Sequence, residues 1–193
     1  MRVFCTVFFL LMAEAACFAQ GQQPQQSHPS SCPPDKIACA TTEGPTYQQT
    51  ADWIVATLSN VAGGTDGQIQ ITYDHISMDG CRLTFEEEDD TGGDYRSFFS
   101  YVVPMAEAIR VDSSYLKDTH FVTLATSTTA IAQQHWDNRT NGVHEENFND
   151  AQVFVGKPGI DFQEYTTRLQ KAFVHAAALC RAQAAQQKPN EPF

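Results

Sequence analysis

Two different hydrophobic periods run along this chain. Between residues 69 and 85 the period is two: Ile69, Ile71 and Tyr73, then Ile76 and Met78, then Cys81, Leu83 and Phe85. That spacing belongs to strands with one buried face. The dipeptide Asp79, Gly80 favours a two-residue hairpin, and in that register Met78 faces Cys81 and Ile76 faces Leu83. Ile69, Ile71 and Tyr73 are out of phase with Ile76, which predicts a β-bulge near Asp74 and His75. Further strands are predicted at 95–103 (YRSFFSYVV), 119–126 (THFVTLAT), 130–136 (AIAQQHW) and 151–155 (AQVFV), all aromatic or β-branched and separated by polar turns. The links between them are too short for crossover helices, so the sheet is expected to be antiparallel.

On either side of this region the period lengthens to that of a helix. Thr50 is placed to cap a helix running to Val61, with Asp52 in its first turn and Gly63 and Gly64 stopping it. Ile54, Leu58 and Val61 share its inner face, with Trp53 beside them. Asp161 and Glu164 have the N-cap and N3 spacing of a capping box. Phe162, Tyr165, Leu169, Phe173, Ala176 and Cys180 then mark one face, leaving Arg168, Lys171 and Arg181 on the solvent side. The predicted fold class is therefore α+β: an antiparallel β-sheet or barrel of about six to seven strands, with an N-terminal helix and a packed C-terminal amphipathic helix.

Residues 1–19 have the three parts of a cleavable signal peptide: Arg2, an apolar run at 3–12, and small residues ending at Ala19. The apolar run is well short of the ~20 residues a bilayer span needs. Glu14 stands three residues before Cys17, where a lipid-attachment site usually carries Leu. The mature chain is expected to begin at Gln20 and to act outside the cytoplasm, in a periplasm or secreted, with no membrane insertion after cleavage. Residues 20–49 are rich in Gln, Pro, Ser and Thr and read as a flexible arm, 50–182 as a single α+β domain, and 183–193 as a flexible tail. The formal charge of −11 disfavours nucleic acid and anionic membrane surfaces as partners. The sequence leaves the partner open, with an envelope or extracellular protein as the candidate.

Four cysteines follow the signal segment: Cys32, Cys39, Cys81 and Cys180. In an exported chain an even number points to disulfides, here with three possible pairings. Proximity favours Cys32 with Cys39, which leaves Cys81 with Cys180. The second pair is supported independently, because both residues fall on inward faces, one by a period of two and one by a period of 3.6.

Consecutive antiparallel strands closed by one amphipathic C-terminal helix, from about residue 68 to 182, resemble the PH-like β-barrel in element order. The segments ISMDGCRLTF and FVHAAALCR also look like those of small exported bacterial proteins without an assigned activity. A cystatin-like or nuclear-transport-factor-like sheet wrapped on a helix is the alternative fold. Lipid-binding PH domains carry a basic β1–β2 loop, whereas the hairpin at Asp79 and Gly80 runs into EEEDD, so the resemblance does not imply phosphoinositide binding.

The chemistry of the remaining residues is sparse. The acidic run at 86–94 (EEEDDTGGD) reads as a solvated hairpin turn, with Gly92 and Gly93 supplying positive φ; calcium is the alternative. The segment DNRTNG at 137–142 begins like a calcium loop but has Arg139 and, at its last position, Phe148 where acids belong. His144 opens HEE without the second histidine of a zinc helix, and His135 and His144 lack an identifiable third ligand. Ser113 and Ser114 follow Asp112 in a plain turn, and neither a nucleophile elbow nor a phosphate loop occurs. Residues 138–140 (NRT) form a glycosylation sequon, meaningful only in a eukaryotic secretory pathway. No catalytic, metal or cofactor residue is assigned. The reading is an exported non-catalytic binding or structural module; the alternative is an extracytoplasmic hydrolase whose site assembles from His120, His135, Asp137 and His144.

Overall fold

The computed structural model describes residues 36–116, 119–140, 142–156, 159 and 161–187. The signal segment, Cys32 and hence its pairing with Cys39, and the last six residues lie outside them. The described chain is α+β. Helix α1 (Tyr47–Val61) is followed by eight strands, β1 (Gly63–Asp66), β2 (Ile69–Asp79), β3 (Arg82–Asp90), β4 (Arg96–Pro104), β5 (Ala108–Leu116), β6 (Thr119–Thr126), β7 (Ile131–Asp137) and β8 (His144–Phe148), then β9 (Asp150–Gly156) and helix α2 (Phe162–Gln187).

All nine strands form one sheet, in the order β5-β6-β9-β1-β2-β3-β4-β7-β8. This corrects the expected six to seven strands and the expected wholly antiparallel sheet: β1 and β9 pair in parallel. The short-connection rule holds for sequential strands, but almost the whole domain separates β1 from β9. The connections also dictate the curvature. Phe148 ends β8 and Asp150 begins β9, yet these strands are six places apart in the sheet. Flat, six strand spacings would extend about 29 Å, whereas two Cα steps reach at most about 7 Å. The sheet must therefore roll up, and the result is a curled half-barrel.

Both helices start on capping chemistry. Thr46, not Thr50, caps α1 in a reciprocal box with Gln49. Thr50 is instead buried in the first turn and donates its hydroxyl to Thr46 O at 2.9 Å. Asp161 Oδ1 accepts from Glu164 N at 3.0 Å, as its spacing predicts. Ile54, Leu58 and Val61 from α1 and Leu169, Phe173, Ala176 and Cys180 from α2 enter one core with Leu83, Phe85, Val103, Val111, Val122 and Leu124. Arg181 corrects the solvent-side assignment, because its guanidinium donates to Ala106 O and Ala108 O and ties α2 to the short turn between β4 and β5.

The β2–β3 hairpin turns one residue later than the dipeptide suggests. Asp79 pairs with Arg82 and Met78 with Leu83, so Gly80 and Cys81 form the corner. Both have positive φ, +52° and +62°, as a primed hairpin turn requires. The expected bulge is present: the register shifts between Asp74 and Ser77, and His75 has φ +51°. Although Cys81 lies at the turn and not on a strand face, it forms a disulfide with Cys180, with Cα atoms 5.6 Å apart. The Cys81 N–H also donates to Tyr47 Oη at 2.9 Å, so both helices hold the hairpin tip.

Candidate functional site: a cleft inside the curled sheet

The acidic run at 86–94 is mostly strand, which corrects its reading as a turn. Only its last four residues lie outside β3, where Gly92 and Gly93 do take positive φ, +76° and +97°. Within β3 the period of two continues from Leu83 and Phe85 to Glu87 and Asp89, while Glu86, Glu88 and Asp90 alternate to the other face. The outward acids are partnered: Arg96 meets Glu88 at 2.9 Å and Asp90 at 3.4 Å, and His75 meets Glu86 at 2.8 Å. Among the described residues, no ion pair involves the inward acids Glu87 and Asp89.

The strand registers arrange the inward face in rows. Glu87 lies between Tyr73 of β2 and Phe99 of β4, and the row continues through His135 of β7 to His144 of β8. The adjacent row contains Phe85, Tyr101, Gln133 and Glu146. The curl brings β6 and β9 across from this face, where Phe121 and Phe154 meet at 5.7 Å between ring centroids. Between the two walls lies a cleft of about 280 Å³, lined by Tyr73, Glu87, Tyr101, Phe121, Gln133, Phe148 and Phe154, among others. Its walls are strands of a single sheet, so the backbone that positions these side chains is cross-linked by ladder hydrogen bonds.

A hydrogen-bond chain fixes the acid at the centre. Phe154 N–H donates to Tyr73 Oη at 3.1 Å, and Tyr73 in turn hydrogen-bonds the Glu87 carboxylate. Burial raises the Glu87 pKa to about 7; the Tyr73 bond opposes this and the neighbouring Asp89 charge adds to it. Burial also raises Tyr73 well above the ordinary phenol value, with Glu87 reinforcing the effect, and Tyr101 shifts in the same direction for the same two reasons. The Asp89 carboxyl is likewise raised by burial, and its Oδ1 is buried without a hydrogen-bond partner. Phe85 stacks on Tyr101 at 4.6 Å, and Phe99 stacks on His135 at 4.6 Å, where His135 Nε2 is buried and unpartnered.

The residues named for a dispersed hydrolase do not converge. His135 and His144 face each other across β7 and β8, with ring centroids 6.4 Å apart. Asp137 is two residues further along β7, but its carboxylate accepts from Arg139 N, Thr140 N and Thr140 Oγ1 within 2.9 Å. Those bonds hold its pKa below the ordinary carboxylate value, so it is poorly suited to accept a proton. His120 lies against Phe162 in a different, more open cleft of about 620 Å³ with Ser113, Ser114 and Asp161. The two serines are strand residues of β5, not a turn, and Asp161 is engaged as the α2 cap. Among the described residues, no group of three or more His, Cys, Asp or Glu is placed to hold a metal ion.

In the sequence Glu87 stands out only as one acid of the run at 86–94, and Tyr73, Tyr101 and Gln133 only as strand residues. The signal was present in the unbroken alternation Leu83, Phe85, Glu87, Asp89, which places two acids in phase with core residues. Compared with known protein families, curated proteins and solved structures, the chain matches none.

Proposed function

We propose that this chain is an exported, non-catalytic binding module that holds a small ligand in the cleft between Tyr73, Glu87, Tyr101, Phe121 and Phe154. One observation carries the reading: a concave, aromatic-walled cavity contains a few convergent polar groups on rigid strands, the usual composition of a small-molecule site. The Glu87 carboxyl, hydrogen-bonded by Tyr73 and with no ion-pair partner among the described residues, supplies orientation. The residues that line this cleft include no serine or cysteine, and among the described residues no cluster of metal-ligating side chains lies in it, which favours binding over the hydrolase alternative. Export rests on the sequence of residues 1–19, and a disulfide is at home in the oxidising compartment that export would reach. No helix of the described residues is long and apolar enough to cross a membrane.

The test is a small-fragment screen by NMR on the disulfide-bonded, ¹⁵N-labelled protein. Binders should shift the amides of Tyr73, Glu87, Tyr101, Phe121 and Phe154 together. Gln133→Trp, which fills the cleft from β7, should abolish those shifts while leaving the spectrum folded. Binding that maps instead to Ser113, His120 and Thr166 would place the site in the cleft beside Phe162 and reject this assignment.

A further inference from the structure

We infer that the ligand of this cleft is an organic cation, an amine or guanidine with a compact apolar body, whose charged head sits against Glu87 among the Tyr73, Tyr101 and Phe154 rings. The inference rests on the reading of the cleft as a ligand site and adds the charge of what enters it. Its first support is an excess of uncompensated acid. Glu87 and Asp150 line the cavity, and Asp89 follows Glu87 on the same face. Among the described residues, no cationic side chain forms an ion pair with Glu87 or Asp89, and Arg96, the nearby guanidinium of β4, is committed to Glu88 and Asp90 on the opposite face. A buried carboxylate left unpaired is costly, and a charge supplied by a ligand relieves that cost.

The second support is the wall chemistry. Five aromatic residues line the space, Tyr73, Tyr101, Phe121, Phe148 and Phe154, and ring faces attract cations through their quadrupoles. An anionic ligand would meet the same carboxylates and be repelled. A neutral ligand would fill the space but leave the acid without a countercharge. A bare metal ion is disfavoured because, among the described residues, no three ligating side chains converge. The volume of about 280 Å³ suits a single ring or a short branched chain. The chain's net charge of −11 adds a long-range field that draws cations towards the molecule.

A bound ammonium would hold Glu87 in its ionised form, so affinity should depend on pH. The other titratable groups facing this space are Tyr73 on β2, Asp89 on β3, Tyr101 on β4, His135 on β7, His144 and Glu146 on β8, and Asp150 on β9. The experiment titrates the disulfide-bonded chain with benzylamine, benzyl alcohol and benzoate at pH 8 and pH 5.5, following amide shifts. Benzylamine should bind in the cleft and weaken roughly 30-fold at the lower pH, as expected for a site group protonating near 7. Benzyl alcohol should bind at least tenfold more weakly than benzylamine at pH 8, and benzoate should not bind. Glu87→Gln should lose both the affinity and its pH dependence; a dependence surviving in that variant would assign it to another group facing this space and overturn the role given to Glu87. Equal or tighter binding of benzyl alcohol or benzoate at the same residues would reject the cation and leave the cleft as a site. Failure of all three to shift cleft residues would reject the cleft as well.

Discussion

Glu87 is the residue on which local structure and function meet. It occupies a strand position in phase with Leu83 and Phe85, and the curl of the sheet covers it with β6 and β9. Its folded-state pKa of about 7 exceeds the unfolded value, so the folded protein binds this proton more tightly than the unfolded chain does. The stability linked to that proton is fully present at low pH and is lost as pH rises from about 4.5 through about 7. Asp89 is raised too and acts in the same direction. Glu87→Gln keeps the shape and removes the ionisation. It should leave stability near pH 4 almost unchanged and raise it at pH 8 by as much as about 3 kcal/mol, read from urea midpoints. Equal stabilities of variant and parent across that range would mean that Glu87 is solvated in the folded state.

Among the elements, the parallel β1–β9 pair joins the two halves of the sheet. Gly64 pairs with Gly156, and a Cβ on Gly64 would lie 2.3 Å from the Gly156 carbonyl oxygen at a φ of +136°. Gly64→Ala should therefore cost about 2–4 kcal/mol and release amide protection in β1 and β9 before the rest of the sheet. Uniform protection loss would show that the pair does not open separately. The helices were the most legible elements, since the Asp161 cap and the apolar face of α2 both follow from side-chain spacing. Even there the α1 cap was displaced to Thr46, because its box with Gln49 lies in a segment whose composition reads as an arm. The strands β1, β5 and β8 were not legible. Gly63 and Gly64 resemble a helix stop, Ser113 and Ser114 resemble a turn, and HEENF in β8 is a charged edge, of the kind that protects a sheet from further pairing. The β2–β3 register slipped because Asp79-Gly80 is the commoner turn pair, whereas the chain places Gly80 and Cys81 at the corner.

At the scale of the whole molecule, the cleft was invisible in the sequence because its walls come from strands brought together only by the curl. Residues 73, 87, 101 and 154 share no motif. The crosslink that helps to hold this shape was legible, and it joins the β2–β3 tip to α2 across a separation of 99 residues. Cys180→Ser should lower stability by about 2–5 kcal/mol, since it removes a long-loop constraint and puts a hydroxyl into an apolar contact. A loss below about 1 kcal/mol in chemical denaturation would mean that packing alone fixes α2 on the hairpin. If the chain is exported as proposed, N-terminal sequencing of the mature form should begin at Gln20, and retention of residues 1–19 would contradict that route. The ligand site depends on whether the curled sheet encloses a water-poor space around an acid. The most direct measurement is a ¹³C NMR titration of the Glu87 side-chain carboxyl in the disulfide-bonded protein. The predicted midpoint is near 7; a midpoint in the ordinary glutamate range, about 4.3, would show that water reaches the carboxylate freely and that the cleft is not the site described.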